Sequence, residues 1–254
     1  MATFPELIKL AETYDRELPP MPELPSPPQG AEIAGWIDQT LLKPEATVHQ
    51  VKQFCDDAAA YDFASVCVNP SFVPLAAGLL KDTKIKTCAV VGFPLGAAVS
   101  TTKMAETLSA ISMGASEVDM VLNIGALKGE AYGQVLNDIE LVAQTAHNQR
   151  IVLKVIIEIA LLTRYEKIMA CLLCKEAGVD YVKTSTGFST GGATVEDVEL
   201  MRRVVGATMG VKASGGIRTL ADAQAMISAG ASRLGTSSGI EIVRAALEEG
   251  KSNE

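Results

Sequence analysis

The sequence predicts an α/β fold, a (β/α)8 TIM barrel with an N-terminal helical extension. Three observations carry this. From residue 31 onward, short β-prone runs alternate with amphipathic helical runs, as parallel strands joined by helical crossovers require. Eight such units fit within roughly 220 residues, the number and length of a barrel of this kind. Leu153-Lys154, Val182-Lys183 and Val211-Lys212 recur every 29 residues, so three consecutive strands bring a lysine to a similar height. A doubly wound sheet is the competing arrangement, because eight units do not by themselves close a barrel.

The elements follow in order. Phe4, Leu7, Ile8, Ala11 and Tyr14 recur at helical spacing and predict a helix over 4–16. The stretch "PPMPELPSPPQG" (19–30) holds six of the eleven prolines and reads as a semi-rigid extended connector. It either docks a proline-binding module or lets the first helix pack on the main body or a neighbouring subunit. The chain thus divides into an extension, 1–30, and a barrel, 31–254. Strands are expected in "WIDQTLL", "ASVCV", "KTCAVVG", "SEVDMVL", "RIVLKVII", "DYVK", "MGVKAS" and "ASRLG". "TVHQVKQFCDDAAAY" and "TTKMAETLSAISMGA" are clear amphipathic helices between them.

Composition narrows the function. Of 254 residues, 48% are hydrophobic and 20% charged, which supports a sizeable core and argues against general disorder. A net charge of -8 repels phosphate backbones and anionic bilayers, so neither nucleic acid nor membrane is an expected partner. Five cysteines, at 55, 67, 88, 171 and 174, form no disulfide framework and predict reduced thiols in the cytoplasm. Glu6 and Glu12 break up any secretory leader, and no apolar run approaches the roughly 20 residues of a membrane span.

The chemistry gathers at the strand C-termini, where barrels of this kind place their active face. Lys183 and Lys212 end adjacent strands. Two ammonium groups held close repel, and partial burial disfavours charge further; both effects lower a lysine pKa. A neutral amine attacks carbonyls to form a Schiff base. Thr184, Ser185, Thr186 and Gly187 leave room for a substrate and offer hydroxyl and N–H groups. The alternative is a lysine that caps strand carbonyls or pairs with a carboxylate. "SGGIRT" (214–219) and "GTSSGI" (235–240) follow the last two strands, where barrels often hold phosphate. Their glycines Gly215 and Gly216, with Arg218, Ser237 and Ser238, suit an anion, although ordinary tight turns favour the same residues. Asp119 lies between apolar neighbours in the fourth strand, so it is either paired or functional. Asp38 and Thr40 at the end of strand one are expected to hydrogen-bond a bound substrate, Lys154 is expected both in the same buried polar network and at the substrate, and Glu158 is a partner for one of its members; a satisfied ion-pair network is the alternative for all of them. Cys67 is expected to line the pocket or to pack as a small core residue.

Competing motifs fail on order and context. "GFSTG" (187–191) fits a nucleophile elbow, but His49 and His147 both precede Ser189. Two isolated histidines do not make a metal site, and Cys171 and Cys174 lie in an apolar helical stretch.

"IDQTLLKPEAT", "VCVNPSFV", "VVGFPLG", "EVDMVLNIGALKG", "LKVIIE", "VKTSTGFSTGGAT", "VKASGGIRT" and "GTSSG", in order from 35 to about 240, resemble the deoxyribose-phosphate aldolases. The resemblance implies a (β/α)8 class I aldolase that needs no metal or other cofactor. It would reversibly cleave 2-deoxy-D-ribose 5-phosphate to acetaldehyde and D-glyceraldehyde 3-phosphate. Its partners would be phosphosugar and aldehyde substrates and, in a homo-oligomer, other copies of the chain, a dimer being expected. Lys183 matches the Schiff-base lysine and Lys212 the lysine that keeps it nucleophilic. Asp119 matches the acid/base residue that works with Lys212 through a water. Gly187, Gly215, Gly216, Ser237 and Ser238 match phosphate-contacting loops. Two departures stand out. Gln39 replaces a frequent histidine beside Asp38, and Phe188 stands where some members carry lysine. The second removes a cation and is expected to weaken preference for phosphorylated sugars.

Overall fold

The computed structural model describes residues 2–252; positions 1, 253 and 254 of the two expected regions lie outside the described residues. Eight strands run β1 (Ile37–Leu41), β2 (Ser65–Val68), β3 (Lys86–Val91), β4 (Glu117–Val121), β5 (Val152–Ile156), β6 (Tyr181–Lys183), β7 (Gly210–Ser214) and β8 (Arg233–Thr236). Neighbours pair in parallel, and β1 pairs with β8 as well as β2, so the sheet closes. That closure decides for the barrel over a doubly wound sheet. Seven of the eight expected runs contain one strand whole, and β8 extends one residue past "ASRLG", to Thr236; strands covered on both faces are apolar almost throughout.

Among the described residues, ten α-helices surround or precede the barrel: α1 (Phe4–Arg16), α2 (Val48–Tyr61), α3 (Val73–Leu80), α4 (Ser100–Ser112), α5 (Ile124–Lys128), α6 (Tyr132–His147), α7 (Arg164–Glu176), α8 (Val195–Val205), α9 (Leu220–Ser228) and α10 (Gly239–Ser252). The main apolar core lies between the outer faces of the strands and the helices. Three consecutive loops after β5, β6 and β7 end on threonine caps. Thr163, Thr194 and Thr219 each accept the N3 amide of the helix they open. Such caps contribute about 1 kcal/mol apiece and fix where each loop stops.

The extension packs on its own barrel. Leu7 and Ala11 of α1 are buried against the body, and the Ala2 amide donates to Glu176 Oε1 at 2.8 Å. Arg203 on α8 donates to the Leu18 and Pro19 carbonyls at 3.2 and 2.6 Å. Leu24, Pro25 and Pro27 line a cavity with Tyr181, Gly210 and Ser232, at the strand N-termini. The connector therefore covers the barrel end opposite its C-terminal mouth.

A buried pair anchors β4 from outside. Lys103 Nζ donates to the Val121 carbonyl at 2.8 Å and to Asp138 Oδ2 at 2.5 Å, tying α4, α6 and the strand end together. Inside the barrel Leu42, Cys67, Cys88 and Val90 form only a small apolar cluster. Beside it the interior carries a group of buried charged side chains, among them Asp38, Asp119, Lys154 and Lys212.

Candidate active site

Register brings Lys183 level with Lys212, whereas Lys154 pairs with Tyr181, two residues nearer the strand N-termini. Equal spacing in sequence thus gives equal height for two lysines of the three. Strand tilt and long side chains still bring all three nitrogens to Asp119. Lys154 Nζ lies 2.9 Å from Asp119 Oδ1, while Lys183 and Lys212 share Oδ2 at 2.7 and 2.8 Å. Lys212 also meets Asp38 Oδ2 at 2.5 Å, and Lys154 meets Glu117 Oε2 at 2.6 Å. Arg233 spans Asp38 and Glu117 at 2.7 and 3.1 Å. Ser65 donates to Asp38 Oδ1 at 2.6 Å.

Burial alone would raise the Asp119 carboxyl, but Lys154, Lys183 and Lys212 overcome it and hold the group well below the usual carboxylate range. Asp38 is likewise pushed up by burial and held low by Lys212, Arg233 and Lys154. Lys212 corrects the expectation that both lysines at the mouth are lowered. Burial does lower it, yet Asp119 and Asp38 outweigh burial and raise it above the ordinary lysine value. It is a cation fixed by carboxylates. Lys154 is raised in the same way, against burial, chiefly by Asp119.

Above this floor opens a cavity of about 370 Å³, lined by Lys183, Thr40, Lys43, Thr186, Gly187, Phe188 and the loops after β7 and β8. Lys183 alone of the three lysines lines it. The loop after β6 is held firmly at its start. The Thr184 amide donates to the Lys212 carbonyl at 3.0 Å, and its hydroxyl donates to the Ser214 carbonyl at 3.0 Å. Gly215 and Gly216 adopt φ of 87° and 84°, left-handed conformations that side chains rarely adopt, and turn the backbone around the cavity. Gly235 serves close approach instead: a Cβ there would meet Ser214 Oγ at 2.6 Å and Lys212 Cε at 3.0 Å. Ser214 Oγ is buried on the cavity wall without a protein hydrogen-bond partner.

The sequence reading is met unevenly. Lys183, Thr40, Thr186, Gly187, Gly215, Gly216, Arg218 and Ser237 line the cavity. Thr40 Oγ1 donates to the Asp38 carbonyl at 2.8 Å. Asp38 and Lys154, expected at the substrate, lie buried beneath it in the ion network; Asp38 is the second residue of β1 rather than its end. Cys67, expected to line the pocket, is buried in the small apolar cluster. Ser238 does not line the cavity, and its amide donates to Thr236 Oγ1 at 2.9 Å. Glu158, expected in the lysine network, instead accepts from the Thr186 amide at 3.2 Å and from the Thr186 hydroxyl. Gln39 projects away from Asp38, as alternate residues of a strand do, and its Oε1 accepts from the Gly239 amide at 3.2 Å. Glu117 and Arg233 complete the network and were missed. The available signal was the two-residue spacing of Glu117 and Asp119, which puts both on one face. Cys67, Cys88 and Asp119 each place a possible ligand atom within 4.8 Å of the others, but Lys154 Nζ already lies 3.5 Å from Cys88 Sγ and 2.9 Å from Asp119.

Fold and site define a barrel enzyme whose C-terminal mouth presents a lysine amine backed by a buried carboxylate. The chain belongs to the DeoC/LacD family of aldolases, whose model matches residues 33–247. It is 58% identical over 215 residues to the deoxyribose-phosphate aldolase of Streptococcus suis (strain 98HAH33), covering 85% of this chain and 97% of that one. Its structure superposes on a candidate deoxyribose-phosphate aldolase from Coccidioides immitis with a TM-score of 0.89 at 41% identity, covering 96% and 98% of the two chains. The deoxyribose phosphate aldolase of Aeropyrum pernix, described as a unique tetramer, matches over 100% of both chains with a TM-score of 0.78 at 31% identity.

Proposed function

We propose that this chain is a class I aldolase that reversibly cleaves 2-deoxy-D-ribose 5-phosphate to acetaldehyde and D-glyceraldehyde 3-phosphate, and that it works in the cytoplasm. The observation that carries the reading is the shared oxygen: Lys183 and Lys212 both contact Asp119 Oδ2, and Lys183 faces the cavity. Lys183 Nζ attacks C1 of the open-chain sugar and water leaves, giving an iminium. The C3 hydroxyl gives up its proton to a water held by Asp119 and Lys212. The C2–C3 bond then breaks, its electron pair passing into the iminium. Glyceraldehyde 3-phosphate departs with C3 to C5, and the two-carbon enamine remains. Protonation at C2 and hydrolysis release acetaldehyde and restore the amine.

Gly215, Gly216, Arg218 and Ser237 would take the phosphate, orienting the chain so that C1 reaches Lys183. Phe188, half exposed and edge-on to Phe93 at 5.3 Å, gives that end of the cavity an apolar wall rather than a cation. Two assays test the reading together. Cleavage rates with phosphorylated and free deoxyribose should favour the phosphate ester. Acetaldehyde with cyanoborohydride should leave an ethyl group on the peptide containing Lys183, and none in Lys183→Leu. Absence of that adduct in the parent chain would point to a phosphosugar-binding barrel without lysine chemistry.

The tetrameric relative also supports assembly of this chain with copies of itself. Light scattering on the purified chain should give a multiple of the 26.7 kDa monomer, and a monomer at micromolar concentration would reject it.

A further inference from the structure

The barrel floor holds four basic groups and three carboxylates, and six of the seven close a ring of alternating charge. Arg233 meets Asp38 at 2.7 Å and Glu117 at 3.1 Å. Lys154 joins Glu117 at 2.6 Å to Asp119 at 2.9 Å. Lys212 joins Asp119 at 2.8 Å to Asp38 at 2.5 Å and closes the circuit. Each basic member of the ring thus bonds two carboxylates closely, and Lys154 also lies 3.8 Å from a third, Asp38. Lys183 hangs outside it, touching Asp119 alone at 2.7 Å on an oxygen it shares with Lys212. It is also the one of the four basic groups that lines the cavity.

The ring is neutral as it stands. A proton on Lys183 leaves one uncompensated positive charge in a volume where Asp38, Lys154 and Lys212 have no exposed surface, and burying such a charge is costly. Losing that proton restores neutrality and yields the nucleophile. We infer that Glu117 and Arg233, which line no part of the cavity, set the charge state of the Lys183 amine through this ring and so act as positioning residues for the condensation. The inference rests on the reading of Lys183 as the condensing amine.

Other groups face Lys183 and stay constant in the comparison below. They are the thiols of Cys67 on β2 and Cys88 on β3, and at the mouth Lys43 and Arg218, which follow β1 and β7. Burial pushes the Cys88 thiol up, so it stays protonated and donates to Asp119 Oδ1 at 3.1 Å. Glu158 is engaged by Thr186, outside the ring.

The experiment measures the rate at which acetaldehyde and cyanoborohydride add an ethyl group to the Lys183 peptide, as a function of pH. Glu117→Gln removes one anion and leaves the ring positive, so the acid limb should move to lower pH by about one unit. Arg233→Met removes one cation, and the limb should move to higher pH by about one unit. Glu117→Asp and Arg233→Lys keep the charges and should leave the limb near that of the parent. A purely structural role would slow the reaction at every pH without driving the two limbs apart. If Arg233→Met does not fold, the direction of the near-isosteric Glu117→Gln decides alone. Limbs that coincide with the parent, or move together, overturn the inference while adduct at Lys183 in the parent keeps the aldolase reading intact. No adduct at Lys183 in the parent overturns both.

Discussion

Lys212→Leu is expected to cut turnover at neutral pH by about 10²–10⁴-fold and to move the remaining activity to higher pH. Lys212 Nζ lies 2.8 Å from the Asp119 oxygen that Lys183 also touches, and 2.5 Å from Asp38. Those carboxylates keep it charged through neutral pH despite complete burial. Its removal leaves Asp38 and Asp119 short of a cation. Lys183 is then left on Asp119 Oδ2 without a competing cation, while Lys154 stays on Oδ1. Each unit by which the limb rises costs a factor of ten in free amine below it. The proposed proton relay to the C3 hydroxyl would also be broken, so the rate should not recover fully even at high pH. The pH–rate profile and the trapped adduct measure the two effects separately. A variant that is slow yet keeps the parent's pH dependence would refute charge coupling and leave Lys212 a mere relay.

How far the site could be read in advance depends on how each charge is set within its strand. Asp119, Lys183 and Lys212 each interrupt or end an apolar run, and in strands covered on both faces such an interruption is conspicuous. Glu117 and Arg233 are first residues of their strands, where a charge usually meets solvent, so they read as entrance residues. Their role appears only when β1 closes on β8 and brings Arg233 against Asp38, a contact between residues 195 positions apart. Closure is the step that strand count alone could not supply. Lys154 was placed in the right network but too near the substrate, because equal sequence spacing carries no information on register.

Glu158 was misplaced for a different reason. Its backbone takes φ of 56°, a left-handed value unusual for a residue other than glycine, and this turns the carboxylate onto Thr186 instead of the lysines. Nothing in "LKVIIE" announces that turn. The extension was legible as a helix from its spacing, while its seat depends on long-range bonds such as Arg203 to Pro19. The direction of charge at Lys212 was also misjudged. Two lysines side by side suggest mutual repulsion, but the carboxylates come from β1 and β4, distant in sequence, and they reverse the balance.

Asp119→Asn is expected to destabilise the fold by about 3–5 kcal/mol at neutral pH and to abolish most turnover. The substitution preserves shape and removes only the charge. Lys154 keeps Glu117 and Lys212 keeps Asp38, but Lys183 loses the one carboxylate it touches. Three basic groups would then crowd an uncharged amide inside the barrel, the situation in which breaking a buried pair costs most. The sign with pH follows from the direction of the carboxyl's shift. Burial raises it, the three lysines lower it further, and it ends well below the ordinary range. A carboxyl depressed on folding stabilises fully above its unfolded value, about 3.9, and that contribution is lost as pH falls through the folded value. The gap between parent and variant should therefore be flat from neutral pH down to about pH 4 and narrow only in stronger acid. Urea unfolding at a series of pH values measures it. A gap under about 1 kcal/mol at pH 7 would mean that the interior already tolerates its excess positive charge, and the case for an amine neutralised by its surroundings would lose its physical basis.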